Sequence, residues 1–273
     1  MQNKFSLEGK VIVITGGTGI IGNSFINGIT EAGGAVGILG RNEKVANERA
    51  EKVIRNGGRA IPLIADVLDE KSLQEAKDKV LDQFGKIDGL VNAAGGNMPE
   101  AILQSDQDIF RLNMDGMKNA VDLNLWGTVI PTQVFGEAMA KNGEGKSSIV
   151  NISSMSSKRV ITKVMGYSMA KAAIDCYTQW FAVELANRYG DKVRMNAIAP
   201  GFFLTEQNRT LLTNADGSYT ERGHLVLKQT PFNRFGDTDE LIGVVQWLLS
   251  DASEFVTGTV VNVDGGFFVN SGV

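Results

Sequence analysis

Short apolar runs, rich in β-branched residues, alternate along this chain with longer amphipathic stretches. The runs at 11–14, 35–39, 59–65, 87–91, 148–152, 193–198 and 259–263 read as buried strands. Between them, helical spacing marks 23–32, 43–55, 70–84, 122–141, 167–189 and 239–249. Pro131 is expected to kink the fourth of these helices. Residues 96–121 are polar and weakly periodic and read as a long excursion. Residues 206–230 are polar too, with a helical pattern at 206–212 and a turn at Asp216-Gly217. Strand and helix in alternation predict a doubly wound parallel sheet of about seven strands with helices on both faces, a Rossmann-type α/β fold. No repeat, low-complexity tract or linker divides the chain, so residues 1–273 are expected to form one domain.

Right-handed crossovers put the C-terminal ends of all parallel strands on one edge. Four polar or glycine-rich segments follow strands and are therefore expected to converge there. They are Thr15-Gly16-Gly17-Thr18-Gly19-Ile20-Ile21-Gly22, Asp66-Val67, Asn92-Ala93-Ala94-Gly95 and Ser154. In the first, Gly17, Gly19 and Gly22 fit G-x-G-x-x-G between a strand and a helix. Glycines in that place let the backbone approach a pyrophosphate, and the helix N-terminus offers free N–H groups. The competing reading is a tight strand–helix turn and nothing more.

Composition narrows the function classes. Hydrophobic residues make up 43% of the 273, enough for a large core, and the net charge is −4. An acidic balance disfavours nucleic acid and acidic membranes as partners. No apolar run approaches membrane-spanning length, and the N-terminal segment has no signal-peptide core. One cysteine, Cys176, excludes an intramolecular disulfide and fits a cytoplasmic location; its helical apolar setting suggests a small core residue. The one histidine, His224, excludes a multi-histidine metal site and disfavours a serine-hydrolase triad, and no metal is expected.

The chemistry concentrates between Ser154 and Lys171. Tyr167 and Lys171 stand four apart at the start of a helical pattern and share a face. A free phenol has a pKa of about 10, and a neighbouring ammonium favours its ionised form. A hydroxyl from Ser154 at the adjacent strand end could hold a substrate oxygen. The trio suits proton transfer to or from an oxygen while another group moves a hydride. A tyrosine and lysine exposed on a helix face give the same pattern.

Taken in order, the glycine loop 15–22, Asp66, Asn92-Ala93-Ala94-Gly95, Asn124, Ser154, Tyr167-Ser168-Met169-Ala170-Lys171, Pro200-Gly201 and Asp264-Gly265-Gly266 resemble the short-chain dehydrogenase/reductase family. The resemblance spans nearly the whole chain. It implies hydride transfer between a nicotinamide and a carbonyl or alcohol. Tyr167 would then be the acid/base, Ser154 would bind the reacting oxygen, and Lys171 would lower the tyrosine pKa and hold the nicotinamide ribose. Asn124 would hold a water in a proton relay, or else be a helix-bending polar residue. The cofactor would meet the loop 16–22, Asp66 and Val67 near adenine, Asn92 to Gly95, Pro200, Gly201, Phe203 and Thr205. Asp66 and Thr205 could equally be capping residues. Ile20 departs from the family's short form, which usually has glycine there.

Two further segments, 125–132 and 199–209, resemble the sugar-acid reductases of that family. This implies interconversion of D-fructuronate and D-mannonate. The substrate would meet Asn97, Ser154, Arg159, Tyr167 and Asn208, with Arg159 as first choice for the carboxylate. Reduction of another carbonyl, a gluconate-type acid or a 3-oxoacyl thioester, is the alternative among enzymes; a non-catalytic nucleotide sensor is the alternative outside them. At the end of the second strand stands Gly40-Arg41 rather than a carboxylate, which predicts NADP in preference to NAD. Trp126, Phe135, Trp180 and Phe181 make two helices apolar on more than one face, and the family suggests a homotetramer.

Overall fold

The computed structural model describes residues 3–104, 106–142, 145–205, 209 and 211–272. Seven strands form one sheet: β1 (Val11–Thr15), β2 (Ala35–Gly40), β3 (Arg59–Ile64), β4 (Gly89–Asn92), β5 (Ser147–Ile152), β6 (Val193–Pro200) and β7 (Val260–Val263). Their order is β3-β2-β1-β4-β5-β6-β7, and every neighbouring pair is parallel. The strand order reverses between β1 and β4, which opens a crevice at their C-terminal ends.

Alternation within a strand sends successive side chains to opposite faces. In β1, Ile12 and Ile14 join one core with Phe25, Ile26 and Ile29 of α1 (Ile20–Glu31), Ala46 and Val53 of α2 (Glu43–Arg55) and Val245 and Leu248 of α8 (Ile242–Leu249). Val11 and Val13 join the other core. There they meet Leu73 and Val80 of α3 (Glu70–Phe84), Phe135 and Met139 of α5 (Gly127–Ala140) and Leu185 of α6 (Met165–Tyr189). Strands buried on both faces explain why β1 reads as a continuous apolar run rather than an alternating one. A single-domain doubly wound sheet is what the sequence pattern implies, and the structure has it.

The differences are local. The segment read as an excursion contains α4 (Met114–Val121), capped by Asn113, whose side chain accepts from Gly116 N–H. Two turns with three buried positions are too few to announce a period. A second helix, α7 (Glu221–Gln229), packs on a small cluster of Leu212, Val226, Leu227 and Phe235. Between α4 and α5 the chain makes a π turn, Asp122–Trp126, so the irregularity in this long helix lies before Pro131, which is buried inside α5. Upstream of that turn Met117 and Ala120 face Gly166 of α6. Downstream, the Thr128 and Thr132 hydroxyls donate to the carbonyls of Asn124 and Thr128, four residues back. Of the helical pattern expected at 206–212, residues 209, 211 and 212 are helical; 206–208 and 210 lie outside the described residues.

Cys176 is exposed, not a core residue. It shares the outer side of α6 with Trp180 and Val183, also exposed, so the apolar pattern that suggested burial belongs to a surface. Trp126 is exposed as well, whereas Phe135 is fully buried against the sheet. Among the described residues no helix is long and apolar enough to cross a membrane.

Phe135 fills the space between α5 and the sheet without solvent contact. Phe135→Ala should therefore destabilise the fold by about 3–5 kcal/mol. Urea denaturation followed by circular dichroism measures it; a loss below about 1 kcal/mol would mean that the neighbours collapse into the space.

Candidate active site

The crevice is built from the segments that leave β1, β4 and β5 at their C-terminal ends. Thr15, the last residue of β1, is buried, and its Oγ1 accepts from both Ala93 and Ala94 N–H at 3.1 Å. One hydroxyl thus ties the glycine loop to the end of β4. Asn92 closes that strand, and its Nδ2 donates to Thr132 Oγ1 of α5 and Asn151 Oδ1 of β5, both at 2.9 Å. Asn151 Nδ2 in turn donates to Thr178 Oγ1 of α6 at 2.9 Å. Isolated buried amides are costly, so this row fixes β4, β5 and the two helices in one register.

At Gly16 and Gly22 the loop leaves no room for a side chain. Gly16 has φ +65°, and a Cβ there would stand 2.6 Å from Ala93 O; at Gly22 it would stand 2.3 Å from Gly16 O. Gly19 is the N-cap of α1 and brings no side-chain hydrogen bond, so the first-turn N–H groups of Ile20, Ile21 and Gly22 have no cap. Ile20 occupies the first position of the helix, half-exposed, and does not disturb the turn. A backbone cradle at a helix N-terminus fits the pyrophosphate of a dinucleotide.

Arg49 was not legible as a site residue. From α2 its Nη1 donates to the carbonyls of Gly17 and, at 2.7 Å, of Gly19. It holds the loop's carbonyls on its own side and lowers the loop's negative potential. No sequence motif points to it, since an arginine in a polar helix face reads as solvated. Arg41, exposed, and Asp66, half-buried, meet at 3.6 Å between Nη1 and Oδ2, a pairing worth little energy. Asp66 Oδ1 also accepts from Leu68 N–H, so the capping role weighed for it is present. Val67 is buried, and a Cβ on Gly127 would meet it at 2.9 Å. On the far side Gly201 N–H donates to Val263 O, Pro200 ends β6, and Phe203 packs against Gly236. Thr205 lies in the same segment, half-buried.

Asn124 sits in the π turn, fully buried. Its Oδ1 accepts from Gly96 N–H at 3.0 Å, and its Nδ2 donates to Gly96 O at 2.9 Å and Ala120 O at 2.8 Å. The amide's two hydrogens and one lone pair of its oxygen go to backbone, so it shapes the Gly95-Gly96 turn. A Cβ on Gly95 would stand 2.6 Å from Asn124 Oδ1 and 3.4 Å from Lys171 Nζ, which places these two side chains on one small surface.

Ser154, at the turn after β5, accepts at its Oγ from Ser156 N–H (3.2 Å) and Ser156 Oγ (3.1 Å). Both lone pairs are filled, so its own proton is left to donate. It hydrogen-bonds Tyr167, two residues into α6. Burial raises the Tyr167 phenol above its ordinary value, and the bond from Ser154 opposes that rise. Close by, the Lys171 Nζ donates to Ile152 O at 2.8 Å and lies 5.4 Å from the tyrosine ring centroid. Burial pushes the Lys171 ammonium down to about 8, against the pull of Asp175.

The residues expected to bind substrate are distributed less evenly. Asn97 is exposed just beyond the Gly95-Gly96 turn. The loop around it is pinned to the Ser154–Tyr167 loop by Leu103 N–H donating to Lys163 O at 2.9 Å. Arg159 is held on one side of its fork by the C-terminal segment. Its Nη1 donates to the carbonyls of Phe267 (2.8 Å), Phe268 (3.2 Å) and Asn270, and its guanidinium lies 5.4 Å from the Phe267 ring centroid. A string of carbonyls from the C-terminal segment outcompetes solvent for that charge. Asn208 lies outside the described residues.

A dinucleotide cradle beside a serine–tyrosine–lysine cluster, on a doubly wound sheet, defines a nicotinamide-dependent oxidoreductase. A family model described as enoyl-(acyl carrier protein) reductase matches residues 19–268, and the chain belongs to the short-chain dehydrogenase/reductase family. It is 41% identical over 277 residues to an uncharacterized oxidoreductase of Bacillus subtilis (strain 168), UxuB, covering 98% of both chains. Its structure is similar to that of a candidate D-mannonate oxidoreductase from Haemophilus influenzae with bound NAD, with TM-score 0.90, 38% identity and 98% of both chains covered. It is also similar to a gluconate 5-dehydrogenase from Burkholderia cenocepacia J2315 in complex with NADP and tartrate, with TM-score 0.84, 32% identity, and 97% and 98% coverage. The chain is an NAD(P)-dependent dehydrogenase/reductase.

The cradle at Gly22 admits no side chain, because the obstacle is backbone. Gly22→Ala should weaken NADPH binding about tenfold or more while the fold persists. Fluorescence titration of the reduced cofactor reads this, and an unchanged affinity would place the pyrophosphate elsewhere.

Proposed function

We propose that this oxidoreductase reduces D-fructuronate to D-mannonate and runs the reverse reaction. The observation that carries the substrate reading is the near full-length likeness to the candidate D-mannonate oxidoreductase. Gluconate-type acids are the second reading, supported by the likeness to the gluconate 5-dehydrogenase. Both are polyhydroxy acids, so the pocket must meet hydroxyls and one carboxylate. Asn97, Asn208 and Arg159 are the proposed substrate side chains. Arg159 acts there chiefly by holding the C-terminal segment as a wall.

The nicotinamide, when bound, supplies the hydride for reduction and takes it back in oxidation. With substrate bound, Ser154 turns its one proton from Tyr167 to the carbonyl oxygen. Tyr167, kept protonated at neutral pH by burial, delivers a proton to that oxygen as charge develops on it. Lys171 holds Ile152 O with one hydrogen and has two more for the tyrosine and the ribose. Asn124 keeps Gly95 and Gly96 clear of the reacting centre. The loop 16–22, Arg41, Asp66, Val67, Asn92 to Gly95, Pro200, Gly201, Phe203 and Thr205 form the cofactor's surroundings.

Arg41 supports a preference for NADP. No carboxylate ends β2 to repel a 2′-phosphate, and the exposed Arg41 holds Asp66 only at 3.6 Å, so a phosphate can take its place. The exposed Trp126 and Trp180 support assembly as a homotetramer. We propose further that the whole chain, 1–273, is one such domain acting in the cytoplasm.

Three outcomes test these readings. Tyr167→Phe should lose turnover by about 10²-fold or more with cofactor affinity retained; near wild-type turnover removes the assigned role. In a panel of keto acids, D-fructuronate should give the highest kcat/KM, and faster reduction of a 3-oxoacyl thioester would overturn the sugar-acid reading. NADPH should exceed NADH in kcat/KM, a margin that Arg41→Ala should erase, and a clear NADH preference in the wild type would defeat the cofactor proposal.

A further inference from the structure

Asp175 is a buried acid that no part of the proposed reaction uses. It lies on α6, one turn beyond Lys171 and so on the same helix face. Its Oδ1 accepts from Ser153 Oγ and its Oδ2 accepts from Ser157 Oγ at 2.6 Å. Ser153 immediately precedes Ser154, and Ser157 closes the 3₁₀ turn that Ser154 caps. Ser153 is itself fixed to β6, its N–H donating to Ile198 O at 2.7 Å. The carboxylate therefore grips the Ser154 turn from both sides and fastens it to the helix that carries Tyr167 and Lys171.

We infer that Asp175 is a positioning residue, a two-armed clamp that holds the Ser154 hydroxyl on Tyr167 and keeps the Lys171 side chain in the company of a negative charge. A packing role alone does not account for a carboxylate here. An apolar residue of similar size would fill the space without burying a charge. Two hydroxyls, one on each oxygen, orient the group so that both ends of the turn are set at once. Reaction geometry is sensitive to displacements of about 1 Å, and such displacements cost about a hundredfold in rate. A clamp on the turn carrying one member of the Ser154–Tyr167 pair acts on that distance directly.

The same placement has an electrostatic side. The Ser153 and Ser157 hydroxyls are the groups bonded to the Asp175 carboxylate, and of the charged residues on the elements packed around α6 (Asp115 and Lys118 of α4, Asp122 of the π turn, Lys158 of the Ser154 turn, Arg194 of β6) it is Asp175 that stands one turn from Lys171. Among the described residues, Asp175 is the charge that acts on the buried ammonium, and it raises the Lys171 pKa against burial. Without it the lysine loses its proton at lower pH.

This role for Asp175 rests on the oxidoreductase reading of the Ser154–Tyr167–Lys171 site, not on the identity of the acid reduced. The test compares wild type, Asp175→Asn, Asp175→Glu and the double variant Ser153→Ala/Ser157→Ala, using the keto acid that wild type reduces fastest. Asp175→Asn should lower kcat about ten- to hundredfold. Its NADPH affinity by fluorescence titration should stay within about twofold. The alkaline limb of its kcat profile should move to lower pH. The double variant, which keeps the charge but cuts both arms, should lose kcat without moving that limb, and Asp175→Glu should recover part of the rate. If Asp175→Asn fails to fold, Ser157→Ala alone should show the same split between kcat and cofactor affinity at smaller size. Wild-type kcat with an unmoved alkaline limb in a folded Asp175→Asn enzyme, or a fall in cofactor affinity in step with kcat, would overturn the clamp. Failure of D-fructuronate as a substrate leaves it standing, since the comparison is between variants on one substrate.

Discussion

The crossing of polar side chains beneath the crevice is the constraint on which the rest of the molecule depends. A parallel sheet buried on both faces has no water to satisfy stray polar groups. Yet Thr15, Asn92, Asn151, Thr132 and Thr178 all lie in that interior. Each makes at least one bond nearby, Asn92 through its Nδ2 alone, and together they join β1, β4, β5, α5 and α6. Hydrogen bonds have direction where apolar contact does not, so the row selects one register among the many that would bury the same area. The glycine loop, the Gly95-Gly96 turn and the Ser154 turn inherit their spacing from it.

Electrostatics in the site run against solvent rather than with it. Tyr167 and Lys171 are held out of water, where the charged state of each is disfavoured unless it is paired. The phenol stays protonated, ready to give a hydrogen, and the ammonium is brought close to the pH of its surroundings. A side chain whose pKa lies near ambient pH exchanges protons with the least free-energy penalty. Burial thus prepares Lys171 for proton exchange more than it prepares Tyr167.

The features legible in the sequence and those hidden from it divide along physical lines. Strands such as β1 and β2, buried on both faces, announce themselves by composition, and helices α2 and α3 by a long amphipathic period. Motif residues on strand ends were legible because topology brings those ends to one edge. The short helices α4 and α7 were missed, being set by a capping side chain and a handful of tertiary contacts. Arg49 and Asp175 were invisible for a different reason. Their partners are backbone carbonyls and serines reached only after folding, and neither spacing nor composition records such meetings. Cys176 was misplaced because local pattern cannot tell an outer helix face from a core, and the carbonyls that hold Arg159 come from a terminal segment that no local pattern records.

The π turn at Asp122–Trp126 also governs the phase of the helix beyond it. An α-helix rotates by about 100° for each residue, so a single extra residue changes the direction of every later side chain. Before the turn, Met117 and Ala120 keep step with Gly166; after it, Thr132 keeps step with Asn92. No uniform helix could satisfy both appointments. The turn works as a phase adjuster between two rigid stretches, and Asn124 at its middle belongs wholly to neither. The number of residues between Ala120 and Thr128 is therefore as much a determinant of this enzyme as their identities. Substitution there changes one contact, whereas losing or gaining one residue would rotate every later side chain of α5 away from its partner.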